Sequence, residues 1–311
     1  MAPLSSSEDC NSLSFLFFLQ LNASRSCTSP QQALDGFRPQ ELSCAFTKGE
    51  DSMRIRVFRS LLSFLLIPVG SLFLSAAGQA PKSDPQAVAF ATKAVAALTN
   101  GTTINDVTLT GTISATDGPD TVTGTATLMA SGKGESRIDL LLPNGTRTEI
   151  RDTSTGTPQG KWVTPDSSSG KIAFHNCQTD AVWFFPALSS LLSDQNTVLT
   201  YVGIESRGAV KTQHIQSYVY SATQPSQLSV MDFYLDAATL LPVAITFNTH
   251  PDDNAGTNLS VEVVFANYQL ISGAMVPTRV QRYQEGNLML DLAVSTASFN
   301  TGVSLSNFAI N

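Results

Sequence analysis

The stretch VTLTGTIS, residues 107–114, sets Val107, Leu109, Gly111 and Ile113 on one side of an extended chain and Thr108, Thr110, Thr112 and Ser114 on the other. A period of two, with one apolar row and one hydroxyl-bearing row, is the mark of a strand that buries one face and wets the other. Immediately upstream the period is 3.6 instead. Asp84 and Pro85 offer an N-cap and a proline at the first helical position, Val88, Ala91, Val95 and Leu98 fall on one stripe, and Gly101 follows as a stop, which predicts a helix over Pro85–Leu98. Its polar side carries little Lys or Arg, so the helix suits packing on a sheet better than lying on a membrane surface.

Downstream the alternation persists. The turn DGPD (117–120) leads into TVTGTATLMAS, the turn Gly132–Gly134 into ESRIDLLLP, and PNG (143–145) into TRTEIR. Four strands in succession with short connections predict an antiparallel meander. The segment TSTGTPQGKWVTPDSSSGK (153–171) reads as loop, and WFFPALSSLLSD (183–194) as a second helix opened by Pro186, with Leu188, Leu191 and Leu192 inward. Seven more alternating runs follow: VLTYVGIES (198–206), AVKTQHIQSYVYS (209–221), SVMDFYLD (229–236), VAITFNT (243–249), LSVEVVFANYQL (259–270), VPTRVQRYQ (276–284) and NLMLDLAVSTASF (287–299). The sum is an α+β chain: about eleven short strands in one strongly curved antiparallel sheet, with helices covering its concave face. No self-similarity at repeat length suggests a solenoid or propeller.

The ordered part is preceded by an export signal. From Met53, Arg54, Arg56 and Arg59 stand before the apolar stretch Leu61–Leu74, and the small residues Ser75, Ala76 and Ala77 follow. That order is a secretory signal peptide over 53–77, too short and too broken by Pro68 and Gly70 to span a bilayer as a helix. A signal peptide works from the N-terminus, so 1–52 reads as an upstream extension without periodic structure, and 78–311 as a single exported domain in the periplasm or outside the cell. Three of the four cysteines, Cys10, Cys27 and Cys44, lie in the extension. Cys177 is left alone in the exported part, where a small buried residue is the expected role.

The 311 residues are 42% hydrophobic and 14% charged, too apolar for a disordered chain, and Asp+Glu 25 outnumber Lys+Arg 18 for a net charge of -7. No basic block exists to neutralise a phosphate backbone, so nucleic acid is not expected as a partner.

The C-terminal stretches YLDAATLLPVAITFNTHPDD (234–253) and VEVVFANYQLISGAMVPTRVQRYQEGNLMLDLAVSTASFN (261–300) have a recurring order. A strand ends in Asp236, a turn and Leu241-Pro242 open the next, a long strand reaches Tyr268, a turn runs from Gly273 to Pro277, and an Arg-bearing strand precedes a last one ending at Asn300. This order resembles the LolA-like outer-membrane lipoprotein carrier superfamily and its uncharacterised exported bacterial relatives. The resemblance implies an antiparallel half-barrel with a helical lid around an apolar cavity. Candidate lining residues are then Trp183, Phe185, Leu188 and Leu192 from the lid. From the strands they are Phe233, Leu235, Phe247, Val263, Phe265, Leu290 and Leu292. The same apolar rows also suit a core with no cavity.

Catalytic chemistry leaves no motif. His175, His214 and His250 are far apart in sequence, with no ligand pair at metal spacing, so neither a metal nor another cofactor is expected. The loop HPDDN crowds His250, Asp252, Asp253 and Asn254, but loops between strands are polar in any case. In KTQHIQSYVY (211–220), His214 shares with Thr212, Gln216 and Tyr218 a face expected to be wet. Glu149, Glu205, Asp232 and Glu262 are carboxylates that no spacing joins into an acid–base pair. There is no nucleophile elbow and no phosphate-cradling glycine loop. The expectation is a noncatalytic binder of an apolar ligand, a lipid or a lipidated protein. The alternative is an adaptor module of the cell envelope that takes a protein partner on an edge strand.

Overall fold

In the computed structural model, which describes residues 81–310 apart from 118–119, 133, 155–156, 178, 180–191, 193, 222–225 and 252, the predicted first helix forms as α1 (Pro85–Thr99). The Asp84 carboxylate accepts from Gln86 N at 2.8 Å, Pro85 opens the first turn, and Asn100 ends the helix in the left-handed region. The extension 1–52, the signal peptide 53–77 and the second predicted helix, but for Leu192 and Asp194, lie outside the described residues. No helix among the described residues is long and apolar enough to cross a membrane.

The buried stripe of α1 is Ala87, Ala91, Ala94 and Leu98, whereas Val88 is exposed. The predicted stripe is therefore rotated. Alanines let the helix backbone lie close against the sheet, and larger apolar residues gain nothing by displacing them. Phe90, on the flank, stacks on Tyr201 with ring centroids 5.3 Å apart.

Among the described residues thirteen strands form one open antiparallel sheet: β1 (Asp106–Asp117), β2 (Asp120–Ser131), β3 (Ser136–Leu142), β4 (Gly145–Asp152), β5 (Gln159–Val163), β6 (Ser169–Ile172), β7 (Thr197–Arg207), β8 (Val210–Val219), β9 (Met231–Asp236), β10 (Pro242–Thr249), β11 (Leu259–Ile271), β12 (Ala274–Gln284) and β13 (Asn287–Phe299). The order is β6-β5-β4-β3-β2-β1-β13-β12-β11-β10-β9-β8-β7. Two meanders are thus joined back to back. The chain starts in the middle at β1, runs out to one edge at β6, passes α2 (Phe174–Cys177), resumes at the opposite edge with β7, and returns so that β13 pairs with β1.

The two strands beyond the predicted eleven are β5 and β6, in the segment read as loop. They make a short edge hairpin in which Trp162 pairs with Gly170, so that the ring lies where a side chain at 170 would be. Few apolar residues and two glycines hide a strand from periodicity, and the pairing to β4 supplies what the pattern lacks. At the seam, the β1–β13 register shifts between Thr110 and Gly111, and a Cβ at Gly111 would run into the Ala293 carbonyl. The β11–β12 turn is tight at Ser272 and Gly273, both at positive φ, so Pro277 sits inside β12 rather than in the turn.

One apolar cluster joins α1 to β1–β3 and β7–β13. Leu292, Val263, Val276 and Val107 are fully enclosed in it, each stabilising the fold by about 2 kcal/mol relative to exposure.

Candidate functional site

Register fixes which side chains share the inner face. Ile113 stands opposite Leu292, Leu292 opposite Val280, Ile245 opposite both Val263 and Phe233, and Phe233 opposite Ile215, all within the cluster under α1. Of the predicted lining residues, Phe233, Leu235, Phe247, Val263, Phe265, Leu290 and Leu292 are buried together here. Leu192 is half-buried against the same cluster, and Trp183, Phe185 and Leu188 lie outside the described residues. Where Leu192 meets α1 there is a cavity of about 10 Å³ lined by Ala91, Ala94, Leu199, Ile215, Phe233 and Leu235. That is room for roughly one water in an apolar wall.

The same face changes character toward β4. Arg147 pairs with Leu140 and Glu149 with Ile138, so these charges point to the side where Leu140 and Ile138 join the core. Arg151 shares their parity and is 2% exposed. Across the sheet, Arg282 on β12 stands between Val263 and Leu290 and is also 2% exposed. Arg147, Glu149, Arg151, Trp162, His250 and Arg282 all line one cavity of about 40 Å³. β4 and β12 are five strand steps apart, about 24 Å on a flat sheet, so the sheet curls to bring them together.

Within this cluster the Glu149 carboxylate accepts from Arg147 Nη2 at 2.9 Å and faces Arg151 Nη2 at 3.5 Å. His250 is fixed on three sides. Its backbone N–H donates to Asn176 Oδ1 at 2.9 Å, its carbonyl accepts from Asn176 Nδ2 at 2.7 Å, and its Nδ1 donates to the Thr257 carbonyl at 3.0 Å. The His175 ring meets it edge-on at 5.2 Å. His250 thus turns inward from the HPDDN loop rather than gathering with its acids; Asp253 is exposed and Asp252 lies outside the described residues. Among the described residues no group of three or more His, Cys, Asp or Glu could hold a metal. Cys177 is buried with its thiol beside the Ile172 carbonyl, as expected of a packing residue.

The outer face corrects the expectation for His214, which is 7% exposed. Its Nδ1 lies 2.7 Å from Glu205 Oε1 and its Nε2 2.8 Å from Asp232 Oδ1, while the ring stacks on Tyr234 at 4.5 Å. Arg207 covers the other region of Tyr234, 3.5 Å from the ring centroid, and pairs with Glu262. Long side chains roofing the strands bury a face that period-two reasoning assigns to water. Glu205, Asp232 and Glu262 therefore hold this roof together, whereas Glu149 lies on the inner face.

The charged end of the inner face is what sequence reading missed. TRTEIR does set Arg147, Glu149 and Arg151 in one row, but a charged row reads as solvent-facing until its register against Ile138 and Leu140 is known.

An open antiparallel sheet with a helix packed on an apolar inner face is similar in fold to solved structures of LolA type. The structure of a LolA superfamily protein from Nitrosomonas europaea superposes with a TM-score of 0.50 at 12% identity, over 72% of this chain and 97% of that one. An outer membrane lipoprotein-sorting protein domain from Vibrio parahaemolyticus gives 0.48 at 13% identity, over 72% and 96%. A DUF1329 family protein from Desulfovibrio piger gives 0.48 at 11% identity, over 74% and 98%. No protein-family model matches the sequence, and no curated protein does.

Proposed function

We propose that the chain is an exported, noncatalytic binding protein for an apolar ligand, a lipid or a lipidated protein, working in the periplasm or outside the cell. In this reading the sheet is a half-barrel and α1 covers its concave face. The observation that carries it is that the helix–sheet interface is small-surfaced and not completely filled: α1 meets the sheet with Ala87, Ala91, Ala94 and Leu98, and the small cavity beside Leu192 lies beneath it. An acyl chain is admitted when α1 shifts outward, exchanging alanine contacts for methylene contacts of similar worth, about 0.8 kcal/mol for each buried CH₂. The test is mass spectrometry of an organic extract of the gently purified protein. A chain-bearing molecule is expected in the wild-type extract and its loss from Leu192→Asp, and a clean wild-type extract would contradict the reading.

A second reading has its own support. β7 is an eleven-residue edge strand with Val202 and Ile204 exposed, at 50% and 64%. Ser83 and Asp84 cover the start of this edge at Thr197 and Leu199, and the stretch beyond them, with its apolar side chains, suits strand addition by a protein partner. Under that reading the organic extract is clean, and Ile204→Lys releases a partner captured from the envelope fraction.

A further inference from the structure

We propose that the cavity at the charged end of the inner face receives the oxyanionic head of the ligand, carboxylate or phosphate, while its chain lies against the apolar half. This rests on the binding function proposed above and adds the chemistry of the head. At about 40 Å³ the cavity holds a head-sized group rather than a whole lipid. Its described lining includes the buried guanidiniums of Arg147, Arg151 and Arg282, each with partners of its own, and the Glu149 carboxylate that Arg147 and Arg151 engage. Guanidinium forks match oxyanions in geometry as well as charge.

Two further groups point to an occupant. The Trp162 indole Nε1 and the His250 Nε2 are both buried without a hydrogen-bond partner, and both residues line the cavity. A buried donor left unmade costs about 1–3 kcal/mol, so an acceptor brought in beside Trp162 removes a penalty as well as forming a bond. The Thr257 carbonyl holds His250 Nδ1 as the donor of that ring, so the unsatisfied donor offered to a head group is the Trp162 N–H. The head site adjoins the apolar cluster, because Arg282 lies in register between Val263 and Leu290.

The experiment is calorimetric titration of the purified full chain with dodecanoate, with dodecanol and with inorganic phosphate. Dodecanoate is expected to bind about ten-fold tighter than dodecanol. Trp162→Phe, which keeps the ring and loses the N–H, and Arg282→Gln should each lower that ratio about five-fold while leaving dodecanol affinity within about two-fold. Trp162→Phe decides the matter should Arg282→Gln fail to fold by circular dichroism. Equal affinity for dodecanoate and dodecanol, or a ratio that Trp162→Phe leaves unchanged, overturns the head site and leaves the binding function standing. Failure of both chain compounds overturns the binding function itself, and phosphate binding in that case marks a site for free anions instead of heads.

Discussion

Arg282 and Leu292 stand on neighbouring strands, point to the same side of the sheet and are both enclosed, at 2% and 0% exposure. Around Leu292 the burial is closed by apolar contact with Ile113 and Val280. Around Arg282 the face holds Arg147, Glu149 and Arg151 about a cavity. The apolar half is stabilised by removing surface from water, whereas a buried ion cluster gains little over an apolar core of equal volume. Charges kept in such a place at that cost fit a binding role better than a stabilising one.

The comparison can be broken from either side. Arg151→Ala should destabilise most, by about 4 kcal/mol in urea unfolding, because the Glu149 carboxylate stays buried with one of its guanidiniums gone. A cost below that of a surface ion pair would show that this half is wetter than its burial indicates. Leu292→Ala should cost about 3 kcal/mol by the same measurement, as lost transfer energy plus an unfilled cavity. It should leave the dodecanoate-to-dodecanol ratio unchanged, since it touches chain and not head. Gly170→Ala should cost about 2 kcal/mol, because the new methyl meets the Trp162 ring, and it should weaken dodecanoate binding by moving the indole.

The smallest effect belongs to the outer face. Arg279 donates to Asp291 through Nε at 3.0 Å and Nη2 at 2.6 Å, and Gln281 adds a third bond at 3.0 Å. These bonds, Arg279 first, hold the Asp291 carboxyl below the usual carboxylate range. With the folded value depressed, the folded state binds fewer protons than the unfolded one in acid. The stabilisation is therefore present above the ordinary carboxylate range and lost as pH falls through the lower folded value. Asp291→Asn should flatten that acid limb slightly in pH-dependent melting, by lowering stability a little at neutral pH and leaving it unchanged in acid, a small effect because the Arg279 side chain is half in water.

Much of the sheet was legible because Val107–Ile113 and its successors repeat one pattern with turn residues at each break. Periodicity says which residues share a face, but not which face is inside. That is why the sequence carries no sign that Arg147, Glu149 and Arg151 lie within, where register against Leu140 and Ile138 puts them. It is also why His214 read as wet although Tyr234 and Arg207 roof that side. β5 and β6 were illegible for a different reason: short, and each with a glycine at its second position, Gly160 and Gly170, they are strands by pairing and not by propensity. The apolar candidates from Phe233 to Leu292 were found because core and ligand wall make the same demand on a side chain, and for that reason their burial does not separate the two roles.

The most direct test of the two-part inner face is nuclear magnetic resonance of the protein with ¹³C-labelled dodecanoate. Chain methylenes should show cross-relaxation to the Phe233 and Leu235 side chains, and the Trp162 indole N–H resonance should shift downfield as its hydrogen bond forms. Contacts confined to Val202 and Ile204 on the edge strand, with the Trp162 signal unmoved, would contradict the account.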